Sequence, residues 1–314
     1  MQKIKQWLAQ SPFRDYSIEV ASEDASFRRY FRLRLGKESL IMMDSSLEKE
    51  SLKPFVDVTE RLLSVGVHAP RILASDLDAG FLILDDLGSV QLLDILKESN
   101  YLSYYSLALE EILKMQQAEI SGLPVYDRDF LKFEMALMQE WFLEQYVDVS
   151  LSVGDKEMIA ETLENIATEV LRQPQGYFVH RDFHSRNIMV TDSGVLGVID
   201  YQDAMHGTIT YDLVSLLRDL YIELPLPLVE QLVLAFRDIT APEIDDVTFM
   251  RWFDFMGLQR HIKVLGVFAR LHLRDGKDGY LKDLPLTLKY TLEVSAKYPQ
   301  TQALHQLLSK ITLP

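Results

Sequence analysis

Residues 177–200 read YFVHRDFHSRNIMVTDSGVLGVID, and this stretch decides the fold. Its short apolar runs, separated by polar and turn residues, predict a strand, a loop, a second strand, a turn and a third strand. Four side chains sit in it at fixed offsets: His180, Asp182, Asn187 five residues after Asp182, and Asp200 eighteen after it. Asp182 falls in a loop just behind an apolar strand, where a rigid scaffold can hold its carboxylate against a hydroxyl. Asn187 closes that loop and can turn an amide oxygen to a metal. Asp200 ends the third strand, where a carboxylate can bridge metals to phosphates. A single aspartate behind a strand is usually a turn residue. The joint spacing is far more specific and implies a phosphoryl-transfer site. His180 reads as a packed, hydrogen-bonded scaffold residue rather than a proton carrier.

Outward from this stretch the chain changes character twice. Before it, residues 3–10 predict a short helix, and residues 18–36 alternate as two strands joined over 22–26. Residues 39–44 predict a third strand, 47–65 a helix, and 67–73 and 81–84 two more strands. Gly88, after Asp85, Asp86 and Leu87, reads as the hinge out of this part. From residue 90 the spacing turns helical, over 91–98, 101–119, 130–146 and 155–172, and again after the central stretch over 211–220, 226–238, 248–272 and 284–298. The expected class is α+β: a small β-rich N-terminal lobe over 1–87 and a large, mostly helical C-terminal lobe over 88–314, a two-lobed kinase-like plan.

Composition bounds the rest. With 314 residues, 48% hydrophobic and 25% charged, the chain has the make-up of a globular protein with ample core. It holds no cysteine, so disulfide and thiol chemistry are excluded. Neither a signal-peptide core nor an apolar run of membrane length is present, and the expectation is a cytoplasmic monomer without membrane partners. A net charge of −15 argues against a nucleic-acid binder. It also means that an anionic nucleotide needs locally gathered cations or a bound metal.

The segments HRDFHSRN (180–187), IDYQD (199–203) and YDLVSLL (211–217) resemble the aminoglycoside phosphotransferase-like branch of the kinase superfamily, over nearly the whole chain. Within that branch, DASFRRYF (24–31), FLILDDLG (81–88) and GLQRHIKVLGVFAR (257–270) resemble bacterial kinases that act on the anomeric hydroxyl of N-acetylmuramate and N-acetylglucosamine in cell-wall recycling. The resemblance implies ATP as phosphoryl donor, Mg2+ as metal and an amino sugar as acceptor. It makes Asp182 the base or hydroxyl-orienting residue, and Asn187 and Asp200 the magnesium ligands. Asp212, in the YDL segment, becomes a brace of the catalytic loop.

The N-terminal lobe departs from the protein-kinase pattern in two places. No glycine stands in residues 22–26, and Met42 and Met43 occupy the third strand where a phosphate-gripping lysine is usual. Either the chain has lost activity, or the cation has moved to Arg28 or Arg29, with Ser26 offering a hydroxyl. Intact metal and base residues favour relocation, and arginine grips phosphate with paired donors. Strand alternation leans to Arg29, which shares a face with Phe27, Phe31 and Leu33; the alternative is a solvated edge pair. Adenine is expected against the backbone near Leu84 and Asp86. For the acceptor, Asp203, His184 and Glu134 are candidates, each with an ordinary structural role as its alternative. Arg260 and Lys263 lie on a largely apolar helix and call for a negative partner, either a substrate carboxylate or internal acids. Competing readings are a kinase of another metabolite or aminoglycoside hydroxyl, and a nucleotide-binding pseudokinase regulator.

Overall fold

The computed structural model describes residues 1–23 and 28–314. In chain order the elements are α1 (Gln2–Ala9), β1 (Ser17–Glu23), β2 (Arg29–Leu35), β3 (Glu38–Asp44), α2 (Leu52–Ser64), β4 (Ile72–Asp76), β5 (Phe81–Asp85) and α3 (Leu92–Ile95). Then come α4 (Tyr101–Met115), α5 (Arg128–Leu137), a π-helical continuation over Met138–Tyr146, and α6 (Val153–Val170). The central stretch supplies β6 (Tyr177–Val179), β7 (Ile188–Val190) and β8 (Leu196–Val198), followed by β9 (Met205–Gly207). Last are α7 (Tyr211–Leu217), α8 (Leu226–Thr240), α9 (Asp246–Asp275), α10 (Leu284–Ser295) and α11 (Gln302–Leu308). The chain folds into two units: Met1–Ile95 with Gln117–Glu119 and Arg186–Ala204, and Leu96–Gln116 with Ile120–Ser185 and Met205–Pro314.

In the first unit an antiparallel sheet runs in the order β1-β2-β3-β5-β4. Alternation sorts its two faces. Phe31, Leu33, Leu40, Met42, Phe81 and Ile83 meet Ile4 and Leu8 of α1 in one apolar cluster. The register Arg32–Ile41–Leu84 carries the opposite face. The strand expected over 67–73 forms instead at Ile72–Asp76. Pro70 lacks an N–H and interrupts the ladder before that point. β7 and β8 form a hairpin tied into this unit by Val190 N–H to Val90 O (2.8 Å) and Val198 N–H to His68 O (2.9 Å). A Cβ at Gly197 would lie 2.7 Å from Leu87 Cδ1, so a larger residue there would have to displace the end of the Leu87 side chain. The first unit runs past residue 87 to Ile95 and takes in the hairpin.

The second unit is organised on α9, 30 residues long and buried on every side over much of its length, the signature of a core helix. Asp245 caps its start, accepting from Thr248 N–H at 2.9 Å, and Gly276 ends it in the left-handed conformation. At Gly266 a Cβ would stand 2.3 Å from the Leu137 carbonyl carbon, where α5 passes into the π-helix. The single helix expected over 130–146 is thus an α-helix that widens into π geometry as it crosses α9. β6 and β9 pair antiparallel, which returns the chain to the loop carrying Asp182. Among the described residues no helix is long and apolar enough to cross a membrane.

Candidate active site

In the first unit a cavity of about 570 Å³ opens on the Tyr30–Arg32 face of the sheet, and Leu84, Asp86, Asn187 and Asp200 all line it. Ile41, Leu84, Met189 and Ile199 give it apolar walls suited to a flat ring. The Asp86 carboxylate is engaged within the protein. It accepts from Arg32 at 2.7 and 3.1 Å, from Gly88 N–H at 3.0 Å and from the Ser39 hydroxyl. Burial opposes its charge, and these donors outweigh burial and hold the carboxyl below its ordinary range. Asp86 therefore fastens the link after β5 to the sheet.

Hairpin geometry brings Asn187 and Asp200 together. Asn187 precedes β7 and Asp200 follows β8, so antiparallel pairing places both at one end, with Ile199 N–H donating to Asn187 O at 3.1 Å. Asn187 Nδ2 lies 3.3 Å from Asp200 Oδ2, and Gln202 Nε2 donates to Asp200 Oδ1 at 3.0 Å. Asp200 has φ of 66°, a left-handed conformation of the kind that clusters at working sites. The next residue, Tyr201, is fully buried; its ring stacks on Phe55 at 5.2 Å and its hydroxyl meets Thr59 of α2 at 2.9 Å. Among the described residues no group of three His, Cys, Asp or Glu is placed to hold a metal. One carboxylate and one amide oxygen fit a magnesium ion whose remaining ligands are phosphates and water. Asp203 is exposed beside Gln202, 3.2 Å from its Nε2.

The cations lining this cavity are Arg32 and Arg186, and neither Arg28 nor Arg29 is among the described lining residues. Arg29 lies on the α1-facing side of β2, half-exposed and paired with the buried Asp44. Arg28 is buried, with Nε 3.4 Å from Ser51 Oγ. Arg29 is thus directed away from the cavity, because the apolar face of β2 that it shares with Phe31 and Leu33 is the one covered by α1. Met43 is fully buried. Ser26 lies outside the described residues. Arg186 was passed over in sequence because it stands inside the motif; its adjacency to Asn187 was the available signal.

In the second unit the loop after β6 holds Asp182. Asp212, at the start of α7, accepts from His180 N–H at 2.8 Å and Arg181 N–H at 3.0 Å. Burial pushes its carboxyl up to about 6, against the pull of those donors. Arg181 takes φ of 78°, and its carbonyl accepts from Ser215 Oγ at 3.1 Å. His180 is buried, and its Nδ1 lies 3.3 Å from Asp182 N, a scaffold role. Asp182 itself is 48% exposed at the side chain. Burial of the loop disfavours its charge, but Lys263, Arg260 and Arg181 outweigh this and hold the carboxyl far below the usual range.

Those cations belong to one cluster. Glu134 of α5, buried and not on the surface, accepts from Arg181 Nη2 at 2.6 Å, pairs with Lys263 Nζ at 3.0 Å, and takes the Tyr126 hydroxyl. Lys263 and Arg181 overcome the burial cost and lower its pKa. Lys263 Nζ also lies 3.3 Å from the Tyr211 hydroxyl, and Gln259 Nε2 donates to Tyr126 at 3.1 Å. Arg260 Nη2 stands 3.7 Å from Asp182 Oδ1. Glu134, Arg260 and Lys263 are therefore gathered at Asp182, with Arg181, Tyr126, Tyr211 and Gln259 as partners that the sequence reading missed. His184 is buried against the edge of Tyr221 at 5.0 Å, and burial lowers its pKa to about 4, leaving it neutral at pH 7.

Over residues 17–252 the chain matches the family model described as "Phosphotransferase enzyme family". It belongs to that family. The phosphotransferase is 39% identical to the N-acetylmuramate/N-acetylglucosamine kinase of Neisseria meningitidis serogroup B, over 98% of this chain and 95% of the relative. It is 38% identical to the enzyme of the same name from Pseudomonas aeruginosa, over 93% and 87%. Among solved structures it is similar to a thermostable mutant of the aminoglycoside phosphotransferase APH(4)-Ia (TM-score 0.64, 18% identity, 92% and 97% covered). It is also similar to the choline kinase LicA from Streptococcus pneumoniae (TM-score 0.65, 12% identity, 93% and 98% covered). The expected family and the α+β kinase-like fold are borne out.

Proposed function

We propose that this phosphotransferase carries the γ-phosphoryl group of ATP to the anomeric hydroxyl of N-acetylmuramate or N-acetylglucosamine. The observation that carries the reading is Asp182, an ionised, half-exposed carboxylate braced by Asp212 and surrounded by cations. A carboxylate held this far below its ordinary pKa is a weak base toward a free hydroxyl. It suits the loose transition state of phosphoryl transfer, in which the hydroxyl is oriented first and its proton is accepted late. The sugar oxygen forms a bond to the γ-phosphorus, the bond from that phosphorus to the β–γ bridging oxygen breaks, and the hydroxyl proton passes to Asp182. ADP leaves with the displaced oxygen.

Asn187 and Asp200 would hold Mg2+, which when bound neutralises phosphate charge that an acidic chain otherwise repels. Ile41, Leu84, Met189 and Ile199 give adenine its apolar walls, and Arg32 and Arg186 supply cation to the phosphates. The amino sugar is inferred from N-acetylmuramate/N-acetylglucosamine kinases that share 36–39% identity over more than nine-tenths of the chain. The same reading sets the reaction in the cytoplasm, on a monomer.

The test is ADP release with N-acetylmuramate, N-acetylglucosamine, an aminoglycoside and choline as acceptors. Release is expected with the amino sugars, and Asp182→Asn should lower it by roughly 10²–10⁴-fold without loss of fold. Release with choline or the aminoglycoside alone would replace the acceptor. Magnesium-dependent ATP binding with no release for any acceptor would favour the regulator reading.

A further inference from the structure

We infer that Arg260 is the residue that reads a carboxylate on the acceptor sugar, an inference that rests on the amino-sugar reading above. The cluster at Asp182 holds three cations, Arg181, Arg260 and Lys263, and two carboxylates, Glu134 and Asp182. Glu134 engages Arg181 and Lys263 directly, at 2.6 and 3.0 Å. Arg260 stands differently. Its side chain is 4% exposed, its Nε and Nη1 are buried without a hydrogen-bond partner, and Nη2 reaches Asp182 at 3.7 Å, beyond hydrogen-bond length.

Burying a guanidinium with unmet donors costs free energy, and native structures keep such a group only for a reason. An aliphatic residue would fill this position of α9 at lower cost. Nη2 is the Arg260 nitrogen that stands beside the half-exposed Asp182 carboxylate. An acceptor whose hydroxyl docks on Asp182 therefore brings its nearest ring substituents to that nitrogen. N-acetylmuramate differs from N-acetylglucosamine by an ether-linked lactyl carboxylate, at the ring carbon next but one to the anomeric centre. A planar guanidinium pairs with such a carboxylate through charge-assisted hydrogen bonds. Lys263, satisfied by Glu134 and Tyr211, holds the cluster together instead.

The experiment compares kcat/KM for N-acetylmuramate, its methyl ester and N-acetylglucosamine in the wild-type enzyme, Arg260→Gln and Arg260→Lys. Because Arg260 also lies beside Asp182, any effect on chemistry is common to all acceptors and cancels in the ratio. The N-acetylmuramate to N-acetylglucosamine ratio should fall about tenfold or more in Arg260→Gln, mainly through KM, as expected for one charge-assisted contact. Arg260→Lys should keep part of it, and the methyl ester should lose the discrimination in the wild type. Melting curves identify any variant that fails to fold, and the ester comparison on wild-type enzyme decides the matter in that case. Equal losses for both sugars, or an ester as good as the free acid, would overturn the assignment while leaving the kinase intact. A wild type inactive on every amino sugar would overturn the amino-sugar reading and this inference together.

Discussion

At the scale of residues, a nucleotide site without a lysine on β3 has to take its cation from elsewhere, and two arginines make the choice testable. Arg186 lines the cavity next to Asn187, whereas Arg29 pairs with Asp44 on the far face of β2. Arg186→Ala should raise the KM for ATP about tenfold or more, and Arg29→Ala should leave it within about twofold, in steady-state ATP titrations. The reverse pattern would return the phosphate grip to β2. Alternation made it legible that Arg28 and Arg29 point opposite ways. It could not say which face holds the cavity, because that depends on Ile4 and Leu8 covering Phe31 and Leu33. The approach of Asn187 to Asp200 was legible because it is local, the two ends of the β7–β8 hairpin.

At the scale of elements, α9 carries the second unit, and it passes close against the backbone of a neighbour at Gly266. A methyl there would stand 2.3–2.5 Å from the backbone of Leu137 and Met138, where no flexible side chain can yield. Gly266→Ala should therefore cost about 1–3 kcal/mol or more in urea unfolding, with a lowered Tm. Unchanged stability would mean that the helices do not cross so closely. Helical spacing showed that α5 and α9 exist. It hid the π-helix after Leu137, whose apolar residues continue the same pattern, and the burial of Glu134, which in sequence is either an acceptor-binding acid or an ordinary helix glutamate. Glu134 is buried because Lys263 and Arg181, one 129 residues later and the other 47, arrive to meet it. Pairings across such separations are set by helix packing and leave no local trace in sequence.

At the scale of the molecule, a chain of net charge −15 gathers Arg181, Arg260 and Lys263 around the Asp182 carboxylate and lines a cavity with Arg32 and Arg186. Local concentration of cations in an acidic protein is what handling anionic reactants requires. The kinase-like class was legible as a β-rich beginning, a motif and a helical remainder. The place of the β7–β8 hairpin in the first unit rests on contacts far apart in sequence, such as Gly197 on Leu87. The central claim is transfer of phosphate to an anomeric oxygen, and phosphorus NMR of the product tests it most directly. Incubation with ATP, Mg2+ and N-acetylmuramate should yield ADP and a sugar phosphate whose resonance is a doublet, split by the single anomeric proton, and Asp182→Asn should yield neither. A product resonance split by two methylene protons, or ADP formation no greater than without sugar, would contradict it.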